Sequence, residues 1–207
     1  MRILAIDASI NNIGWAVLDT EQDIDRGEGL LGSGTLRTKM KGDAERVFEI
    51  KELLLELIKR NNQDFPEKPP MIDVDPAEQP YSKQHEAVIQ ARRIDVVIIE
   101  KPEGFSYDRN VSRRSGKSMT KKSLGQNNFA VGIIAASLVG CVEQIEFVSA
   151  QIWKGKQRKS VTRNIVNTIF NLKLEEKNND ESDAIGIGCW RGRRLKLDQK
   201  IQEQSND

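Results

Sequence analysis

One histidine, His85, and two cysteines, Cys141 and Cys189, are all that this chain offers to chemistry built on imidazole or thiol. The cysteines form no CxxC pair and no Cys/His spacing suited to a tetrahedral ion, which argues against structural zinc. A single histidine likewise argues against a His-dependent triad. Both cysteines sit in apolar runs, where a small buried thiol is the plain expectation. Long hydrophobic runs are missing too. "VGIIAASLVG" is too short to span a bilayer, and "MRILAID" has no signal-peptide apolar region. The chain therefore reads as a soluble, cytoplasmic protein of a reducing interior. An excess of charge of one sign is also absent, with 32 Lys and Arg against 31 Asp and Glu. Partners must be sought in where the charges lie.

What is present has a clear order. "RILAIDA", "IGWAVLDT" and "GLLGSGTLRT" read as three successive strands joined by turns. "GDAERVFEIKELLLELIKRN" places Val47, Ile50, Leu53, Leu54 and Ile58 at helical spacing. From about Gln63 to Pro80 the chain holds five of its six prolines together with many acids, so an exposed insertion is expected over about 61–94, with a short helix around Gln84–Arg92. "IDVVIIE" is a continuous apolar run ending in a charge, as in a central strand buried on both faces. "SLGQNNFAVGIIAASLVGCV" reads as a long buried helix, "IEFVSA" as a strand, and "SVTRNIVNTIFNL" and the stretch after Asp180 as helices. Three strands, a helix, then strand–helix alternation predict one α/β domain over 1–195, followed by a polar tail over 196–207.

The acids fall at telling places. Asp7 ends the first strand and Glu100 the fourth, and the carboxyl ends of central strands border the crevice where α/β sheets bind ligands. In "NNDESDAIGIGCW" Asp180 and Asp183 are three apart, so a helix puts them on one face. Gly186 and Gly188 follow, although glycine inside a helix costs roughly 1 kcal/mol relative to alanine. Glycines there let the helix press close to the strands and bring its first turn within reach of Asp7 and Glu100. Taken singly, each acid has a plainer role: bracing a turn, ending a strand, or capping a helix. Taken together they form a carboxylate cluster, which resists ionising unless cations share it. All-oxygen ligands without histidine suit magnesium or manganese.

"ILAIDASINNIGWAVLD", "VVIIEKPEGF", "KSLGQNNFAVGIIAA", "VSAQIWKGKQRKSVTRNIV" and "DESDAIGIG", in this order, resemble the RuvC-type Holliday junction resolvases of the RNase H-like superfamily, in particular the divergent phage-borne versions. The resemblance implies an RNase H-like mixed five-stranded sheet, three antiparallel strands then two parallel, flanked by helices. It implies that Asp7, Glu100, Asp180 and Asp183 bind magnesium, replaceable by manganese, with two ions per site. Lys154 and Lys159 fall where the family places catalytic basic residues near the scissile phosphate. The expected activity is that of a crossover junction endodeoxyribonuclease: a homodimer nicking four-way or otherwise branched DNA symmetrically, in DNA recombination and repair, with no nucleotide cofactor. A phage-encoded enzyme of this kind would act in the bacterial host's cytoplasm. The chain departs from the family pattern at Glu103, where an aromatic is common; Phe105 and Tyr107 are the nearest aromatics and the candidates to meet DNA bases.

The charge map points to nucleic acid independently. "SYDRNVSRRSGKSMTKK" holds Arg109, Arg113, Arg114, Lys117, Lys121 and Lys122 against one acid, Asp108. "QIWKGKQRKSVTRN" adds Lys156 and Arg158 to Lys154 and Lys159, with no acid. Either run alone reads as a solvated loop. Two of them flanking one carboxylate crevice read as phosphate-neutralising surface. Rival readings are an RNase H-like nuclease on hybrids or flaps, a transposase-like enzyme, and a non-catalytic junction-binding protein. An actin-like ATPase would need a second Gly-rich phosphate motif, and glycines after Glu100 are too sparse for one. The helix beginning near Ser123 is the expected dimer surface.

Overall fold

The computed structural model describes residues 1–9, 12–62, 94–102 and 121–205. Most of the expected insertion, including the helix read around Gln84–Arg92, lies outside these residues, as does 103–120. Strand β1 (Arg2–Ala8) turns into β2 (Asn12–Asp19), and β3 (Leu30–Arg37) follows. Helix α1 (Asp43–Asn62) precedes β4 (Val96–Lys101), and α2 (Lys121–Leu138) precedes β5 (Gln144–Ser149). The single turn α3 (Ala150–Trp153), then α4 (Lys159–Phe170) and α5 (Asn179–Ser205), complete the order.

The five strands form one sheet in the order β3-β2-β1-β4-β5. β1, β2 and β3 pair antiparallel, while β4 and β5 add on parallel to β1. This is the RNase H-like arrangement expected from the sequence. β1 sits at the centre and is buried on both sides, which is why "ILAI" is apolar without alternation.

The period-2 geometry of strands sorts residues between two helical layers. Leu4, Ile6, Ile13, Val17, Val97 and Ile99 pack with Ile50, Leu54 and Ile58 of α1 and with Val131, Ile134 and Leu138 of α2. The opposite face carries Ile3, Ala5, Ala16, Leu18 and Ile98, which pack with α5 through Ala184, Ile185, Ile187 and Cys189. Cys189 is buried, and burial pushes its thiol pKa up to about 12. It is an inert core residue, as expected; Cys141 is only partly buried.

Two helices differ from their sequence reading. α2 stops at Leu138, ahead of the positive-φ Gly140, and is one-sided rather than buried all round, with Phe129 49% exposed. α5 runs on to Ser205 through the exposed polar residues read as a tail. Only Leu197 and Ile201 are apolar there, and both are exposed, so two residues four apart were too little to mark the segment as helix. Among the described residues no helix is long and apolar enough to cross a membrane.

Candidate active site

Register brings the first two acids together. Asp7 is the direct partner of Glu100 on β4 and of Gly14 on β2. Adjacent strands lie about 4.8 Å apart, and the alternation that sends Ile3, Ala5 and Ile98 toward α5 sends Asp7 and Glu100 the same way.

Gly14 decides how closely α5 can approach. A methyl group at Gly14 would overlap the carbonyl of Asp180, so the first turn of α5 lies directly on β2 backbone. Gly186 and Gly188 follow further along the helix. A Cβ at Gly186 would stand 2.7 Å from the Trp153 ring, and one at Gly188 would overlap Leu18. Gly188 therefore serves the approach to the strands that the sequence predicted, while Gly186 makes room for Trp153 of α3 and Thr162 of α4 rather than for a strand. Gly14 is a further close contact, and nothing in its local sequence announces it.

The three acids of "DESD" separate by helical geometry. Glu181 turns to the sheet, where it accepts a hydrogen bond from Ser33 Oγ on β3 at 2.8 Å. It is a clamp that seats α5. Asp180 and Asp183 share the other side. Asp183 is 1% exposed; its Oδ2 accepts from Lys154 Nζ at 2.9 Å and lies 3.2 Å from Lys159 Nζ. Its Oδ1 is buried with no hydrogen-bond partner among the described residues. Lys159 Nζ also reaches Asp180 Oδ1 at 3.4 Å. Trp153, which the sequence reading left without a role, donates from Nε1 to Glu100 Oε2 at 2.7 Å.

Electrostatics tie the four acids into one unit. Burial, and then Glu100, Asp183 and Asp180, hold the Asp7 carboxyl well above its ordinary range, against the opposing pull of Lys159. Burial also raises Glu100, with Lys154 and the Trp153 hydrogen bond acting against it. Burial alone would lower the Lys159 pKa; Asp7, Asp183 and Asp180 reverse this and push it above its usual value.

The chemistry of this donor set fits a hard divalent ion. Every donor is oxygen, one buried carboxylate oxygen lacks a partner, and Asp7 is held in a field that calls for positive charge. A buried acceptor left unsatisfied costs about 1–3 kcal/mol, which a cation would offset. The acids are not, however, drawn into a ready-made ion site: among the described residues no group of three or more His, Cys, Asp or Glu side chains is so arranged. Lys154 and Lys159 supply the neutralising charge instead.

The remaining candidates divide. Lys156 and Arg158 are exposed on the connection between α3 and α4, beside the lysines that reach the acids. Lys121 and Lys122 open α2, but their side chains lie outside the described set. Phe105, Tyr107, Arg109, Arg113, Arg114 and Lys117 lie outside the described residues altogether.

Neither a protein-family model nor a curated protein matches this chain. Solved structures do. The structure of Thermus thermophilus RuvC superposes with a TM-score of 0.56 at 18% identity, covering 95% of this chain and 96% of that one. The fold is that of RuvC. T. thermophilus RuvC in complex with a Holliday junction substrate gives a TM-score of 0.58 at 16% identity, with the same coverage. At this identity the likeness to RuvC is one of fold.

Proposed function

We propose that this protein is a metal-dependent endonuclease that resolves Holliday junctions and other branched DNA by symmetric nicking as a homodimer. The observation that carries the reading is the meeting of Asp7, Glu100, Asp180 and Asp183, from two central strands and one helix, on a RuvC fold. Support for the substrate comes from the neighbour solved on a Holliday junction and from two basic runs in the sequence, one of which carries the lysines that reach the acids.

Asp7, Glu100, Asp180 and Asp183 would hold the divalent ions, with Asp7 at the centre of the group. Magnesium or manganese, two ions per site when bound, would supply an activated water and stabilise the leaving 3′ oxygen. The protein's own share is positioning and charge. The sheet fixes Asp7 against Glu100, Gly14 lets the Asp180 turn seat beside them, and Lys154 and Lys159 offer ammonium groups to the phosphate whose charge grows in the transition state. Lys156 and Arg158, exposed next to those lysines in the chain, would neutralise DNA backbone phosphates, and the basic residues of 109–122 would add to that charge.

A non-catalytic junction-binding protein is the second reading. It is favoured by the lysine-neutralised acids and by the lack of a ready-made ion site among the described residues. Incubating the protein with labelled four-way, flap, RNA–DNA hybrid and linear substrates, with and without magnesium, separates the two. Magnesium-dependent paired nicks in the four-way junction support the nuclease; tight binding without cleavage in either magnesium or manganese overturns it.

A further inference from the structure

Trp153 occupies a position that its apolar packing does not explain. Its ring borders the cluster of Ile3, Ala5, Ile98, Val148 and Ile187, where any large apolar side chain would serve. Yet its Nε1–H points at Glu100 Oε2 at 2.7 Å, and the Lys154 ammonium rests 4.7 Å from its ring centroid while bonding Asp183. The ring's far edge fills the space that Gly186 leaves open. One side chain thus touches an acid from β4, a lysine next to its own turn and the glycine of α5, and so links two of the elements that carry the acids to a lysine that bonds one of them.

An indole N–H is a donor only. It cannot bind a cation, but it can take one oxygen of Glu100 and leave the other free. We infer that Trp153 is a positioning residue for the carboxylate site: it fixes the rotamer of Glu100, so that Oε1 is the oxygen presented to a divalent ion. This rests on the metal-dependent reading above. Gly186 belongs to the same device, since a methyl group there would meet the indole at 2.7 Å and move it.

Trp153→Phe keeps an aromatic ring beside Lys154 but removes the donor. Binding of Mn2+ to the full chain is measured by electron paramagnetic resonance, without DNA. Partners that orient a metal ligand are worth about tenfold to a hundredfold in metal affinity, and a loss in that range is expected for Trp153→Phe. The same substitution in a Glu100→Ala background should change affinity by less than about twofold, because a residue acting through Glu100 has nothing left to orient. A purely structural role would lower affinity equally in both backgrounds. Wild-type affinity in Trp153→Phe, or an undiminished effect without Glu100, overturns the inference while leaving the nuclease reading intact. Wild-type protein that binds no Mn2+ overturns both. Should Trp153→Phe fail to fold, the indole resonance of Trp153 in nitrogen-15-labelled protein, assigned with Trp15→Phe and Trp190→Phe, answers the same question. It should move on Glu100→Ala, and an unmoved resonance refutes the contact.

Discussion

Asp7 and Glu100 are direct partners on adjacent parallel strands, each facing the helix that carries Asp180 and Asp183. Burial and then the neighbouring Glu100 hold the Asp7 carboxyl above its ordinary range, and burial raises Glu100 as well, so keeping both carboxylates here is costly. Under the nuclease reading, Asp7→Asn, Glu100→Gln and Asp183→Asn each abolish cleavage while branched-DNA binding survives, since affinity comes from the basic surface. Gel-shift and cleavage assays on one four-way substrate check this. Near wild-type cutting by any of the three removes that residue from the site.

The same cost predicts a pH-dependent gain in stability. The folded pKa of Asp7 lies above its unfolded value, so the native state holds a proton that the unfolded chain releases between the two. Stability therefore falls as pH rises through that window, and the full penalty stands above the folded pKa. Asparagine at position 7 carries no such penalty. Metal-free Asp7→Asn should melt above wild type at pH 8, by about 2–4 °C for each 1 kcal/mol relieved, and the gap should close as pH falls toward about 4, the ordinary carboxylate range. Melting curves at the two pH values test the sign. A gap that widens on acidification contradicts the raised pKa.

Lys154 and Lys159 should separate kinetically from the basic residues of 109–122. A lysine acting on charge that develops during displacement alters rate, whereas a lysine on a distant phosphate alters affinity and the salt slope. Lys→Ala at 154 or 159 is expected to lower single-turnover cleavage at saturating enzyme by about tenfold or more, or about 1.4 kcal/mol of barrier. Alanine in place of Arg113, Arg114 or Lys117 should mainly weaken binding. Lys154 also serves the buried Asp183, and removing one partner of a buried pair costs about 3–5 kcal/mol, so its variant is compared below its own melting temperature. Normal rates in both lysine variants would leave them as backbone contacts only.

Gly14→Ala tests how α5 is seated. The added methyl group meets helix backbone, which cannot move aside as a flexible side chain can. A destabilisation of roughly 3 kcal/mol or more is expected, together with weaker Mn2+ binding, because the Asp180 turn must lift off the sheet. Chemical denaturation measures the first effect and metal titration the second. Unchanged stability in the Gly14→Ala variant would mean that the contact is looser than described.

Symmetric nicking needs two sites related by a two-fold axis. Light scattering of the junction complex should therefore report two copies of the chain. A single copy cutting both strands in one event refutes the dimer.

The four acids were legible in the sequence because each sat at a position with its own rule: two ended apolar strand runs, and two were three apart at the head of a helix. The pattern of elements reached only as far as an α/β sheet; the antiparallel-then-parallel order came from the resemblance to the RuvC-type resolvases. Trp153 was not legible as a site residue, because a four-residue helical turn has no periodicity to orient its side chains and the partner, Glu100, lies far away along the chain. Gly14 reads locally as one more glycine in a strand; its meaning comes from the turn at Asp180, which only the folded molecule brings against it. Glu181 shows the limit from the other side. Its carboxyl lies between Asp180 and Asp183 in the chain, yet helical geometry turns it away from them toward Ser33.

The seating of α5 on β2 also sets when the site can exist. Asp7 and Glu100 emerge early from the ribosome, but Asp180 and Asp183 come much later, and the Ser33–Glu181 clamp joins residues 148 positions apart. Contacts of such long sequence separation form late, after loop closure has been achieved. A chain halted before Asn179 carries two of the four acids and lacks the helix that covers them. The full carboxylate cluster is therefore a property of the completed chain: a product cut short there lacks half of it.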